Sequence, residues 1–138
     1  MVEIPSELIS EALFFKFIKF GLVGASGLIV DFAATYLLKE RVEINKYLAN
    51  GIGFALAASS NFALNRYWTF ASTDPAIFQQ YSKFLVISTV GLAFNHIIVY
   101  YLAGRGQLNF YFSKGISIAI VVIWNFLANY YYTFTYSA

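Results

Sequence analysis

The sequence predicts an all-α membrane protein: four transmembrane helices form two tandem helical hairpins, preceded by a short N-terminal interfacial helix. Composition is the first reason. Hydrophobic residues make up 59% of the 138 residues and charged residues 12%, whereas an ordinary soluble domain has about 25% charged residues. Apolar runs of membrane length are the second reason, and an internal repeat is the third. The surplus of apolar side chains is therefore expected to face lipid.

The repeat is clearest in two ten-residue stretches, NFALNRYWTF from Asn61 and NFLANYYYTF from Asn125, which lie 64 residues apart (61 to 125). The same offset pairs Gly27 with Gly91. Two copies are too few for a solenoid, so a duplicated membrane module is the interpretation. The predicted organisation is a single membrane domain, 1–138, with repeat 1 at 16–70, a linker at 71–79 and repeat 2 at 80–134.

The elements follow from the apolar runs. Residues 1–19 predict an amphipathic interfacial helix, with a frayed polar tail up to Glu11 as the alternative. Span one runs from about Phe17 to Leu38, which supplies the ~20 residues that a bilayer crossing needs. The other predicted spans are Tyr47 to Asn65, about Phe84 to Leu102, and about Phe110 to Phe134.

Topology and composition limit the classes of function. Each repeat crosses the membrane twice, so both repeats enter from the same side and are related by an axis along the membrane normal. Lysines and arginines are almost evenly divided between the two sides, so charge does not determine the orientation. A net charge of +2 without a basic run excludes a nucleic-acid partner. The absence of cysteine excludes disulfides and thiolate chemistry.

The charged residues within the predicted spans include Asp31 and Lys114. Asp31 lies 14 residues into span one, about 21 Å from its start. A carboxylate there costs roughly 2.5–3.5 kcal/mol and needs a partner or a watery cavity. It is a candidate site for a proton, a cation or a polar substrate, or it neutralises one nearby cation. Lys114 is a candidate partner for Asp31, in which case Asn95 meets Asn50, or it is a snorkelling lysine.

Asparagines mark one face of spans two and four. Asn61 and Asn65 are four residues apart beside Arg66, and Asn125 and Asn129 repeat that pair. Such amides are interhelical contacts worth about 0.6–2 kcal/mol or ligands of a polar substrate. The Arg66 guanidinium has a fork suited to a phosphate, or it anchors the helix at the membrane edge. The sequence contains no metal-ligand set, nucleophile triad or paired catalytic carboxylates, so no metal, cofactor or enzymatic activity is expected.

Several of these motifs together resemble the GtrA-like family over about Phe17 to Phe134. The most specific motif is NFxLNRxWxF, from Asn61 to Phe70, whereas Tyr130 stands where a second arginine would fall. The weaker supporting elements are Lys19-Phe20, Gly24, Asp31, Ala49-Asn50-Gly51, Ser113-Lys114-Gly115 and Trp124-Asn125-Phe126.

This resemblance implies a small four-helix protein of the cell membrane, with both termini cytoplasmic, that serves cell-surface polysaccharide or glycolipid synthesis. It implies flipping of a polyprenyl-phosphate-linked monosaccharide. Arg66 and Lys114 would then bind the lipid phosphate, and Asp31 and the asparagines would bind the sugar or hold the helices together. Four short helices enclose little volume, so a groove open to lipid or a homodimer interface is expected.

Two other functions stay open at this point. One is a scaffold that does not transport but recruits a glycosyltransferase to the membrane. The other is a small proton-coupled exporter in which Asp31 alternates between a proton and a cationic substrate.

Overall fold

The structure, a computed structural model, describes residues 5–135, so the first four residues of the predicted interfacial helix lie outside it. Within this range the chain is helical, which confirms the all-α class. The four α-helices are α1 (Ser6–Tyr36), α2 (Lys46–Leu64), α3 (Ile77–Val99) and α4 (Phe110–Ala128). Each continues directly into a π-helical turn, and these turns are Leu37–Arg41, Asn65–Thr69, Tyr100–Arg105 and Asn129–Thr133.

Helix α1 is continuous over 31 residues, which at ~1.5 Å per residue is about 46 Å. This exceeds the ~30 Å of hydrocarbon in a bilayer. The stretch that the sequence assigns to an interfacial helix is the first part of α1 and is not separated from the rest by a break. Its location at a membrane surface stays a prediction.

Among residues 5–135, three helices with their π-helical turns are long and apolar enough to cross a membrane: Ser6–Arg41, Ile77–Arg105 and Phe110–Thr133. Helix α2 is not among them, because polar residues such as Ser59, Ser60 and Asn61 interrupt its apolar character. Large apolar side chains cover the outer surfaces, as expected of helices in lipid. The protein is therefore a multi-pass integral membrane protein.

The chain forms two compact units, Met1–Ser72 and Thr73–Ala138. In the first unit α1 packs against α2, and in the second α3 packs against α4. We call these the first hairpin and the second hairpin.

Asparagine caps begin the second helix of each hairpin. The Oδ1 atom of Asn45 accepts hydrogen bonds from the backbone N–H groups of residues 47 and 48, at 2.8 and 3.3 Å. Asn109 does the same for residues 111 and 112, at 2.9 and 3.2 Å. Just before each cap the chain reverses through a residue with positive φ, Glu43 at 61° and Gln107 at 56°. The caps satisfy amide groups that a helix start leaves without a partner.

Phenylalanine pairs hold the other end of each hairpin together. The rings of Phe20 and Phe70 meet edge-on with centroids 6.3 Å apart. Phe84 and Phe134 make the same contact at 6.5 Å. Each pair joins the first helix of a hairpin to the segment that follows its second helix, and edge-on pairs of this kind stabilise by about 0.5–1.5 kcal/mol.

Candidate functional site

A line of small and polar residues runs between α1 and α2. Its members on α2 recur every fourth residue, and a spacing of four places side chains on one face of a helix. From Ala49 to Asn65 the line covers about 24 Å of helix, most of the ~30 Å hydrocarbon thickness. We call it the polar seam; its residues are Ala49, Gly53, Ala57 and Asn61 on α2 and Asn65 at the start of the π-helical turn that follows, with Gly27, Asp31 and Thr35 on α1.

Asp31 lies half-buried in this seam. The hydroxyl of Thr35, one turn later, is 3.3 Å from the Asp31 Oδ1 atom and 3.5 Å from the carbonyl oxygen of Ala49. Gly53 faces them from α2, and a Cβ atom added there would lie 2.7 Å from Asp31 Oδ1 and 2.9 Å from its carbonyl oxygen. The missing side chain therefore lets α2 approach a carboxylate, a hydroxyl and a carbonyl that together form a niche of oxygen atoms.

The second hairpin has a serine at the position that corresponds to Gly53. Ser117, 64 residues after Gly53, is fully buried. Its Oγ atom donates a hydrogen bond to the Oδ1 atom of Asn95, the counterpart of Asp31, at 2.6 Å. A neutral amide and a hydroxyl thus satisfy each other where the first hairpin has a carboxylate facing a glycine.

Asn61 and Asn125 each press against a glycine of the neighbouring helix. A Cβ at Gly27 would lie 2.5 Å from the Asn61 Nδ2 atom, and one at Gly91 would lie 2.9 Å from the Asn125 Oδ1 atom. Within residues 5–135, neither asparagine Oδ1 atom accepts a hydrogen bond, although both are buried. A buried acceptor in this state costs about 1–3 kcal/mol, so these oxygens favour any donor that enters between the helices.

Asn65 and Asn129 are buried at the start of π-helical turns. The hydroxyl of Thr69 donates to Asn65 Oδ1 at 2.9 Å, and that of Thr133 donates to Asn129 Oδ1 at 2.7 Å. The Asn129 amide also donates to the carbonyl oxygen of Asn125 at 2.7 Å. Both side chains therefore stabilise the ends of their own helices.

Arg66 lies in the π-helical turn that ends α2, and only 4% of it is exposed. Its guanidinium carbon is 5.5 Å from the centroid of the Tyr67 ring. Tyr130, its counterpart in the second hairpin, instead stacks on Phe126 with centroids 6.1 Å apart. A buried guanidinium acts more strongly on a nearby anion than an exposed one, because less water screens it.

Lys114 is exposed on α4, next to the fully buried Ser113. Asn50 is likewise exposed on α2. Asp31 and Lys114 belong to different units, as do Asn50 and Asn95, so both proposed pairings stay predictions.

Sequence reasoning selected Asp31 and Asn95 but not the residues that distinguish their surroundings. Thr35, Gly53 and Ser117 were missed because small residues inside an apolar span are usual helix contacts. The repeat held part of the signal, since the offset of 64 pairs Asp31 with Asn95 and Gly53 with Ser117. Only the structure shows that these two positions face each other within each hairpin.

Comparison with known proteins places these residues in a family. A search among curated proteins gave no match. The family model described as GtrA/DPMS, transmembrane domain, matches residues 19–134. This stretch includes α2, α3, α4, the part of α1 from Lys19 onward and every candidate site residue named above. The match covers most of the sequence and confirms the family that the motifs predicted. The chain belongs to the GtrA/DPMS transmembrane domain family.

Proposed function

We propose that the protein moves a polyprenyl-phosphate-linked monosaccharide between the two leaflets of the cell membrane. Membership of the family fits a role in glycolipid or polysaccharide synthesis. The observation that carries the proposal is the niche at Asp31, a carboxylate that faces Gly53 within the polar seam of the first hairpin. Acidic residues within a membrane span mark a polar pathway unless they are fully paired.

Flipping requires polar surface only for the headgroup, because the polyprenyl tail stays in hydrocarbon throughout. Sugar hydroxyls lose hydrogen bonds to water on entering the membrane, and each unsatisfied one is costly. The oxygens of Asp31, Thr35 and Ala49 can accept such hydroxyls, and Asn61 offers a further acceptor deeper in the seam. The first hairpin therefore carries the sugar path in this proposal.

The phosphate is assigned to Arg66 and Lys114, one cation in each hairpin. Arg66 is enclosed at the end of α2, and Lys114 is exposed near the start of α4. A guanidinium binds two phosphate oxygens in a fixed geometry, whereas an ammonium acts as a mobile point charge. Arg66 would therefore hold the phosphate in a defined orientation, and Lys114 would attract or release it.

The topology of the proposal has four crossings, with α2 as the fourth. Two hairpins then start and end on the same side, so both termini lie together, on the cytoplasmic side. The protein performs no bond-making step itself. A glycosyltransferase that makes or consumes the lipid-linked sugar is the proposed protein partner. A second copy of the chain is the other, because four short helices enclose little volume and a homodimer interface would add surface for the headgroup.

The test is transfer in liposomes. Purified protein is reconstituted with a short-chain polyprenyl-phosphate sugar, and movement of the lipid between leaflets is followed over time. We expect the parent protein to accelerate transfer, and Asp31→Asn, Arg66→Ala and Lys114→Ala to lose most of it while retaining their helical content. His96→Ala, a change to an exposed polar residue outside the proposed path, is the matched control and should transfer like the parent.

A parent protein that transfers no faster than empty liposomes, with several sugars tried, would overturn the proposal. The alternative function, a scaffold that recruits a glycosyltransferase to the membrane, would then be favoured. It would be examined by measuring how much of a partner glycosyltransferase reaches the membrane when exposed helix faces are changed.

A further inference from the structure

The second hairpin contains a cavity of about 420 Å³ between the beginning of α3 and the end of α4. This volume falls within the roughly 300–1,000 Å³ of typical small-molecule sites. We call it the Lys83 groove; the residues on which the argument depends are Lys83, Val86, Ile87, Trp124, Ala128 and Tyr132.

The walls of the groove are mostly apolar. The hydroxyl of Ser82, which also lines it, donates to the carbonyl oxygen of Phe78 at 2.9 Å. Trp124 donates its indole N–H to the carbonyl oxygen of Ile87 at 3.2 Å, so the one donor of its ring is already used. Phe94 meets the same ring edge-on, with centroids 5.1 Å apart, and fixes its orientation. The small side chain of Ala128 leaves the space beside the ring empty. A hydrocarbon chain fits such a space because it needs no hydrogen bond.

A single cation lines this groove. The Lys83 Nζ atom donates to the carbonyl oxygen of Tyr132 across 3.4 Å, which is long for a hydrogen bond. An ammonium has three donors, and this contact uses one. In the first hairpin the equivalent lysine, Lys19, instead lies over the ring of Trp68, 5.3 Å from its centroid. The charge of Lys83 is therefore placed to meet an anion beside an apolar groove.

Depth in the membrane agrees with this arrangement. The helix Ile77–Arg105 has 29 residues, about 44 Å at ~1.5 Å per residue, and exceeds the ~30 Å hydrocarbon layer by about 7 Å at each end when centred. Lys83 lies about 9 Å from Ile77 along the axis, at the hydrocarbon boundary. Ile87 lies one turn deeper. The groove thus begins at headgroup level and continues into the hydrocarbon.

We propose that the Lys83 groove binds an anionic phospholipid of the surrounding leaflet, with its phosphate on Lys83 and one acyl chain against Trp124 and Ile87. The occupant is a leaflet lipid because the groove begins at headgroup level, where phospholipid is the most abundant amphiphile. An anionic headgroup is preferred because a zwitterionic one brings its own cation to the ammonium. A lysine near the surface favours an anionic lipid about fivefold. This site is independent of sugar-lipid transfer.

Trp124 provides the measurement. The chain has two tryptophans, so Trp68→Phe leaves the groove residue as the sole one. This variant is reconstituted in liposomes of unbrominated phosphatidylcholine. A small fraction of a second lipid with brominated acyl chains is added, either phosphatidylglycerol or phosphatidylcholine, because bromine quenches tryptophan fluorescence on contact. We expect brominated phosphatidylglycerol to reach half-maximal quenching at about a fivefold lower mole fraction than brominated phosphatidylcholine.

Variants assign the effect to the groove. Lys83→Gln should make the two brominated lipids equal, and Lys19→Gln, the equivalent lysine of the first hairpin, should keep the fivefold preference. Val86→Phe should reduce quenching by both lipids, because it fills the groove from a position that is 63% exposed and leaves the helix packing intact. Circular dichroism checks that each variant keeps its helical content.

Three results would overturn the proposal: equal quenching by the two lipids in the unaltered groove, a preference that survives Lys83→Gln, or relief of quenching by traces of a polyprenyl phosphate but not by excess unbrominated phosphatidylglycerol. The last would make the carrier lipid the occupant. None depends on transfer between leaflets, so a failure here is distinct from a failure of the proposed function.

Discussion

The two hairpins share their framework and differ in the polar residues that lie between and at the ends of their helices. Both have an asparagine cap, a phenylalanine pair and an asparagine against a glycine, each 64 residues apart. At one such position the second hairpin has a closed hydrogen bond from Ser117 to Asn95, whereas the first has Asp31 facing Gly53. The shared contacts build the hairpin, and the difference lies at the position to which the proposed function assigns the sugar.

The same division holds at the ends of α2 and α4. The first hairpin buries the guanidinium of Arg66 there, and the second places the neutral Tyr130, stacked on Phe126. Aromatic stacking stabilises a helix end without burying a charge, whose desolvation is costly. In the proposed function the charge of Arg66 binds the lipid phosphate, which would account for this cost.

The largest effect is expected when the first hairpin receives the hydrogen-bonded pair of the second. Asp31→Asn combined with Gly53→Ser should slow lipid transfer in liposomes at least about tenfold, since it removes hydrogen bonds to a charged group worth roughly 1.5–3 kcal/mol. The serine side chain must displace the Thr35 hydroxyl, so circular dichroism checks that the variant keeps its helical content. The control is Ser117→Ala, which breaks the hydrogen-bonded pair of the second hairpin instead and should leave transfer within about twofold. Normal transfer by the double variant would mean that the niche has no part in the path.

A second test enlarges a glycine at a helix contact. Gly27→Val should lower the free energy of unfolding in bicelles by about 3 kcal/mol, because its side chain must displace the Asn61 amide and separate the helices. Gly24→Val is the control, since a Cβ there has no neighbour within 4 Å, and should change stability by less than about 1 kcal/mol. Equal losses of stability in the two variants would show that the contact between Gly27 and Asn61 does not determine how α1 packs against α2.

A third test removes the hydroxyl of the hydrogen-bonded pair in the second hairpin. Ser117→Ala should lower the free energy of unfolding by about 1–2 kcal/mol, because the Asn95 oxygen loses its hydrogen bond while remaining buried. Asn95→Ala in the same background should then add little, since both changes remove one interaction. A double variant whose losses simply add would argue against this bond.

The smallest effect concerns the caps. Asn45→Ala and Asn109→Ala should each cost about 1 kcal/mol, and the two costs should agree because the cap geometry is the same in both hairpins. Thermal unfolding of each variant measures the loss. A marked inequality would show that one hairpin unfolds before the other.

The apolar runs predicted the ends of a helix well where a polar residue stands at the end of the run. Span two was predicted from Tyr47 and α2 begins at Lys46, because Asn45 is both the end of a polar loop and a cap. Span three was predicted from about Phe84, yet α3 begins at Ile77. Hydropathy detects only the part of a helix suited to hydrocarbon, and α3 continues beyond it through more polar residues.

The π-helical turns could not be predicted, because they arise from a shift in backbone hydrogen bonding that no local residue pattern specifies. The site was predicted as single residues and not as contacts. Asp31 stands out in an apolar span by its charge, but the importance of Gly53 depends on which helix face it meets. A glycine becomes informative only when the packing partner is known.

The modest hydropathy of α2 bears on how the chain is inserted during synthesis. A helix carrying Asn50, Ser59 and Asn61 would partition poorly into lipid alone. Paired with α1, it hides the Asn61 amide against Gly27, so the two helices are better suited to leave the translocation machinery together than one at a time. Hairpin formation would then precede, and permit, the second crossing.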